Sequence, residues 1–243
     1  MAHMYLDESV EEFLVGSMFE LAGSEGRHAV SVSRLRAGET VVLGNGRGLV
    51  AQAETVAVTK SSATLRIESV RYEHAPALNI TLVQGLAKGD RDERAVEAAT
   101  ELNVSTIVPW AAGRSISRWD ADKAAKGQLR WASIAREASK QSLRAWLPVV
   151  EPLERTSQVA VRSQSSVLLV LDPTGNETLS QALATRPDRV TLVVGPEGGL
   201  SDDELAVFSE AGAVRVRLGA NILRTSTAGP AAIAAINELL SAW

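Results

Sequence analysis

Apolar and polar positions along this chain follow two regimes that meet near Pro76. Up to about Tyr72 the apolar residues come in short runs broken by turn signals. "GETVVLGNGRGLVAQAETV" is two such runs joined by Gly44-Asn45-Gly46, which predicts a hairpin. "SATLRIESVRY" alternates as a further strand. These residues predict a small β-barrel or sandwich. Beyond "EHAPALN" the runs lengthen and alternate with helical patterns. "LNITLVQGL", "STIVPW", "SVLLVLD", "RVTLVVG" and "AVRVRLG" predict strands. "DRDERAVEAATELN", "KGQLRWASIAREASKQSLRAW", "ETLSQALA", "SDDELAVFSEAG" and "STAGPAAIAAINELLSAW" predict the helices between and after them. Strand–helix alternation of this kind predicts an α/β domain with a mainly parallel sheet. Ser201 and Glu204 fit a capping box, and Gly212 a helix stop. The expected domains are 1–74 and 75–243.

Composition narrows the classes. With 45% hydrophobic and 22% charged residues in 243, the chain reads as globular. No window reaches the roughly 18 uninterrupted apolar residues of a membrane span, and the N-terminus lacks the basic-then-apolar pattern of a secretory leader. There is no cysteine, which excludes disulfides and suits a cytoplasmic setting. His3, His28 and His74 are too few and scattered for a zinc site, so no metal is expected.

The net charge of −4 excludes a globally basic nucleic-acid binder, yet the charge is uneven. From Trp110 to Val150, eight Lys or Arg stand against three acids, a net +5 that leaves −9 for the rest. This basic segment is compatible with a polyanionic partner and equally with a solvated helix face.

Two stretches carry candidate chemistry. In "TLVVGPEGGLSDDEL" a strand stops at Gly195, turns through Pro196, Glu197, Gly198 and Gly199, and leads into a helix. Such a turn offers backbone N–H groups to a ligand. Glu197 disfavours a polyphosphate there and suits a ligand with hydroxyls, an amine or positive charge, as in S-adenosylmethionine. A tight turn with a solvated glutamate is the bland alternative. "RLGANILRTSTAGPAAIAAINELL" repeats the device, with a helix opening near Ser226 or Thr227. Ala228, Gly229, Ala231 and Ala232 in its first turns mark a backbone packed very close to something.

Together, "VVGPEGGLSDDEL" and "RLGANILRTSTA" resemble the paired C-terminal motifs of the RsmE-type 16S rRNA uracil-N3 methyltransferases, of the SPOUT class. "AKGDRDERAVEAATELNVSTIVPWAAGRS", "REASKQSLRAWLP" and "EGRHAVSVSRLRAGE" extend the resemblance over nearly the whole chain, the last resembling the family's His-containing strand region. Two positions depart: Ala220-Asn221 stand where the family usually has Pro-Arg, and Ser226 where it commonly has Glu.

The resemblance implies a PUA-like β-barrel, a C-terminal trefoil knot holding S-adenosylmethionine, a homodimer, and 16S rRNA within the assembled 30S subunit as partner. It places the cofactor on three loops: after Leu171, at Gly195, Pro196, Glu197, Gly198 and Gly199, and at Leu218, Gly219, Ile222, Leu223 and Thr225, with Ala228 behind them. The reaction implied is methylation of N3 of a decoding-region uridine. Ribose 2′-O methylation, or a PUA-type RNA-binding protein without catalysis, are the alternatives.

Pyrimidine C5 methylation commonly uses a cysteine nucleophile, so that route is closed here. Arg224 is the candidate for orienting the base, against a salt bridge that fixes the knot. His28, Lys88, Arg114, Arg118, Arg136 and Arg144 are the expected RNA contacts, His28 against a packing role in the barrel. Trp110, Trp119, Trp131 and Trp146 sit among these arginines, as base-stacking residues would. Trp131 with Ile134, Ala135 and Ala138 has the spacing of a buried stripe, and the core is the favoured place for the tryptophans.

Overall fold

Local patterning becomes two units of structure. The computed structural model describes residues 3–243; Met1 and Ala2 of the expected first domain lie outside it. One unit comprises the N-terminal residues to Ala75 together with Ser139–Leu147, the other Pro76–Ala138 with Pro148–Trp243.

In the first unit β1 (Met4–Leu6), β2 (Met18–Leu21), β3 (Thr40–Gly44), β4 (Leu49–Val58) and β5 (Ala63–Tyr72) form a five-stranded sheet in the order β1-β3-β4-β5-β2. The sheet is curled into a half-barrel. Register shifts between Gln52 and Ala53 and between Thr55 and Ala57, where β4 meets β5, supply bends of the kind that curl a sheet. Tyr5, Phe13, Leu43, Leu65 and Ile67 fill its concave core. The hairpin turn forms as the sequence predicts, with Asn45 Oδ1 accepting the N–H groups of Arg47 and Leu49.

One expectation is corrected. The stretch around His28 is not strand: α1 (Gly23–Arg27) runs into a π-helical turn, His28–Val32. A Cβ at Gly26 would lie 2.5 Å from the carbonyl oxygen of Leu21, so this helix sits against the backbone leaving β2. Glu25 in it is buried and bonded to Lys140 at 3.1 Å.

The second unit is built on a fully parallel sheet of β6 (Asn79–Gly85), β7 (Thr106–Trp110), β8 (Val149–Val150), β9 (Val167–Leu171), β10 (Arg189–Val194) and β11 (Val214–Val216), in the order β11-β9-β10-β6-β7-β8. β6 and β10 are buried along all but their first residue, as strands covered on both faces must be. The helices are α2 (Arg91–Glu101), α3 (Ala121–Gln141), α4 (Thr156–Val161), α5 (Leu179–Ala182), α6 (Asp202–Glu210) and α7 (Thr225–Leu240). The end of α3 belongs to the first unit. α6 starts with the Ser201–Glu204 capping box and ends before Gly212, whose φ is +81°.

α7 opens at Thr225, one residue earlier than its sequence predicts. Its small residues have a visible purpose: a Cβ on Gly229 would lie 3.1 Å from Leu82 Cδ1 on β6 and 3.5 Å from Val194 Cγ2 on β10. Trp110 and Trp131 are fully buried in the core, while Trp119 packs edge-on against Trp131 at 5.5 Å. Among the described residues no helix is long and apolar enough to cross a membrane.

Candidate active site

The loops leaving β9, β10 and β11, with the first residues of α7, line one cavity of ≈ 650 Å3. Ligands of open parallel sheets bind at the carboxyl ends of the strands, and this cavity lies there. Every expected cofactor residue except Gly198 lines it, as does Arg224. Gly198 faces another way, with a Cβ position 3.0 Å from Arg114 Cβ and 3.1 Å from the Arg114 carbonyl oxygen. That approach lets Arg114 Nη1 donate to the Gly198 carbonyl at 3.4 Å.

The Glu197 carboxylate of the glycine loop is held by two donors. Its Oε1 accepts from the Lys88 backbone N–H at 3.0 Å and from Arg91 Nη1 at 2.8 Å. Desolvation pushes the carboxyl pKa up. The N–H groups of Glu197 and Lys88 and the Arg91 guanidinium outweigh this and hold it below the ordinary glutamate value. The side chain therefore stays ionised and ties the β10 loop to the loop after β6.

Asp172 does the same after β9. Burial pushes its carboxyl up, but the Thr174 N–H and hydroxyl and the Arg215 guanidinium hold it below the usual aspartate value. Arg215 Nε donates to Asp172 Oδ2 at 2.8 Å, and Thr174 N to Oδ1 at 2.9 Å. Both carboxyls have depressed folded pKa values. Each thus contributes stability that is present above its unfolded value and lost as pH falls through the folded one. We expect Glu197→Gln to lower the melting temperature at neutral pH and to lose that difference as pH falls through the folded value of the carboxyl. Equal melting temperatures at neutral pH contradict this role.

Several residues were missed in sequence. Arg91, Asp172, Asp202, Arg217 and Asn221 line the cavity; all but Asp172 lie inside the stretches that carry the resemblance, Asn221 as a departure from it, but as ordinary polar residues they gave no signal of their own. Glu204 was read only as a helix cap, yet its Oε1 also accepts from Gly113 N at 2.7 Å. It thereby fastens the segment carrying Arg114 to the start of α6. Gln84, buried near the end of β6, binds Thr225.

The expected RNA residues divide. Lys88 and Arg114 adjoin the glycine loop, and Arg118 is exposed on the same segment as Arg114. Arg136 lies on α3, half-buried and 3.6 Å from Glu137. His28 and Arg144 belong to the first unit. His28 packs edge-on to Tyr5, ring centroids 6.5 Å apart. Burial pushes the Arg144 guanidinium down to about 10. The basic segment is less free than its charge suggests, since Lys140 is buried with Glu25 and Arg130 pairs with Glu93 at 2.9 Å. Arg224 forms no ion pair among the described residues, so the salt-bridge alternative finds no support.

A family model described as an RNA methyltransferase domain matches residues 74–237, and one described as an RNA methyltransferase PUA domain matches residues 21–68. A Mycobacterium bovis ribosomal RNA small subunit methyltransferase E is 38% identical over 94% of this chain and 89% of its own length. This chain belongs to that family. The Bacillus subtilis ribosomal RNA small subunit methyltransferase E is 29% identical over 98% of this chain and 96% of its own. A Neisseria gonorrhoeae member solved bound to S-adenosylmethionine superposes with a TM-score of 0.87 at 32% identity, covering 98% of both chains. The SPOUT-type α/β fold with an N-terminal PUA-like half-barrel is therefore shared with the RNA methyltransferase family.

Proposed function

We propose that this member of the RNA methyltransferase family transfers a methyl group from S-adenosylmethionine to N3 of a uridine in 16S rRNA. Family membership gives the coarser statement, a cofactor-dependent rRNA methyltransferase. The observation that carries the finer one is the cavity at the ends of β9, β10 and β11, with Arg224 unpaired at its edge.

The residues fit that cofactor. Leu171, Pro196, Leu218 and Ile222 offer apolar surface, and the glycine loop offers backbone donors and acceptors. Asp202 supplies a carboxylate at the lining that suits the positive charge of the ligand, while Glu197 is engaged by Arg91. Bound there, the cofactor supplies a methyl group activated by its sulfonium.

Uridine N3 becomes nucleophilic when its proton leaves, and negative charge then spreads to the ring oxygens. Arg224 orients the base and stabilises that charge from a fixed backbone, since its carbonyl accepts the Thr227 and Ala228 N–H groups at 2.8 and 2.9 Å. With no cysteine in the chain, the cysteine-dependent covalent route is closed, and N3 attacks the activated methyl directly.

The working form is a homodimer in the cytoplasm, acting on the assembled 30S subunit, with no metal. Ile222, 78% exposed on the loop after β11, supports a face that a second copy completes. The close packing of α7 on β6 and β10 supports a final helix threaded as a trefoil knot.

Calorimetry with S-adenosylmethionine tests the cofactor assignment, and absence of binding by the folded protein overturns it. For RNA, Arg114→Ala is expected to weaken rRNA binding and to lower the slope of log affinity against log salt by about one. An unchanged affinity across the salt series contradicts that contact.

A further inference from the structure

We propose that Gln84 is a positioning residue for the cofactor loop, acting through Thr225 on the carbonyl of Gly195. The inference rests on the cofactor reading above. Gln84 is fully buried near the end of β6, paired in register with Val194 of β10, and Thr225 is buried at the start of α7. Gln84 Nε2 donates to Thr225 Oγ1 at 2.8 Å and to the Gly85 carbonyl at 3.1 Å. Thr225 Oγ1 donates to the Gly195 carbonyl at 2.7 Å.

Chemistry fixes the direction of this chain. The carbonyls of Gly85 and Gly195 can only accept. The amide end facing Gly85 must therefore be the nitrogen, and the Thr225 proton must point to Gly195. The hydroxyl lone pair is then left for Gln84. Each link permits the next, so losing the glutamine donor frees the hydroxyl to turn away from Gly195. Gly195 is the first residue of the glycine loop, so its carbonyl direction sets the path of Pro196 and Glu197.

Gln84 Oε1 is buried and has no hydrogen-bond partner among the described residues. A side chain kept only for packing would be better served there by leucine or methionine, because an unpaired buried polar atom is destabilising. The amide is retained for its donor, and the donor has one side-chain recipient, Thr225.

The test measures S-adenosylmethionine binding by calorimetry, and KM and kcat for methyl transfer, in the full-length protein. Gln84→Met is expected to weaken binding about tenfold, with the loss in KM for the cofactor rather than in kcat. Thr225→Val should lose a similar amount. The double variant should be no worse than Thr225→Val alone, because the two act in series. Gln84→Glu keeps shape and supplies a donor only when protonated, so its affinity should fall as pH rises while the wild type stays level. Additive losses, or a Gln84→Met protein that melts earlier yet binds normally, overturn the proposal. If Gln84→Met does not fold, the Gln84→Glu pH profile decides alone, and a level profile overturns it. A wild type that binds no cofactor would overturn the functional reading itself, a different result from normal binding by the variants.

Discussion

Gly85→Ala is expected to cost about a hundredfold in S-adenosylmethionine affinity, or about 2.7 kcal/mol. It adds one methyl group to the last residue of β6. That carbon would lie 2.8 Å from Pro196 N, 2.9 Å from Pro196 Cδ and 3.1 Å from the Val194 carbonyl oxygen. None of these atoms is the tip of a flexible side chain. Two belong to a ring inside the glycine loop, and the third to the strand that carries it. The loop must move, and a backbone displaced there cannot present the same groups to the cofactor. Overpacking of this kind usually costs about 1–3 kcal/mol of stability as well, so melting and binding should both suffer. Calorimetry alongside a thermal melt separates them. A lower melting temperature with unchanged affinity would mean that the position of Pro196 does not set binding.

Arg224→Ala should act on the other kinetic constant. Arg224 lines the cavity, is exposed, and forms no ion pair among the described residues. Its backbone is held by the first turn of α7, so truncation leaves the loop in place. A donor aimed at developing charge is typically worth about 10²–10³ in kcat, and that is the loss expected. Cofactor affinity should change by no more than about threefold. Arg224→Lys keeps the charge but not the planar fork, and should recover only part of the rate. Single-turnover methyl transfer at saturating cofactor is the measurement. A loss confined to cofactor affinity would move Arg224 from substrate orientation to cofactor binding.

Much of this was legible in the chain itself. Unbroken apolar runs such as "TLVVG" predict central parallel strands, and β10 is buried along all but its first residue. The crowd of small residues after Thr225 predicts close packing, and Gly229 lies against Leu82 and Val194. What stayed hidden is long-range. Gln84 lies 141 residues from Thr225 in the chain, inside a run that reads as plain strand. Arg91 opens a helix like any charged residue, and only the folded chain brings it to Glu197. Around His28 the alternation "HAVSVSRL" mimics a strand, while the buried Glu25 that stabilises the helix finds its lysine 115 residues away. The segment from Ser139 to Leu147 joins the first unit by long-range contacts too, including Trp146 Nε1 donating to the Glu73 carbonyl, 73 residues away, at 2.8 Å. No periodicity marks any of these.

The central claim is tested most directly by methyl transfer from labelled S-adenosylmethionine to 30S subunits lacking the modification, followed by mass spectrometry of the digested nucleosides. The account predicts label in 3-methyluridine. Label in a 2′-O-methyl nucleoside, or no transfer by a protein that binds the cofactor, would contradict it.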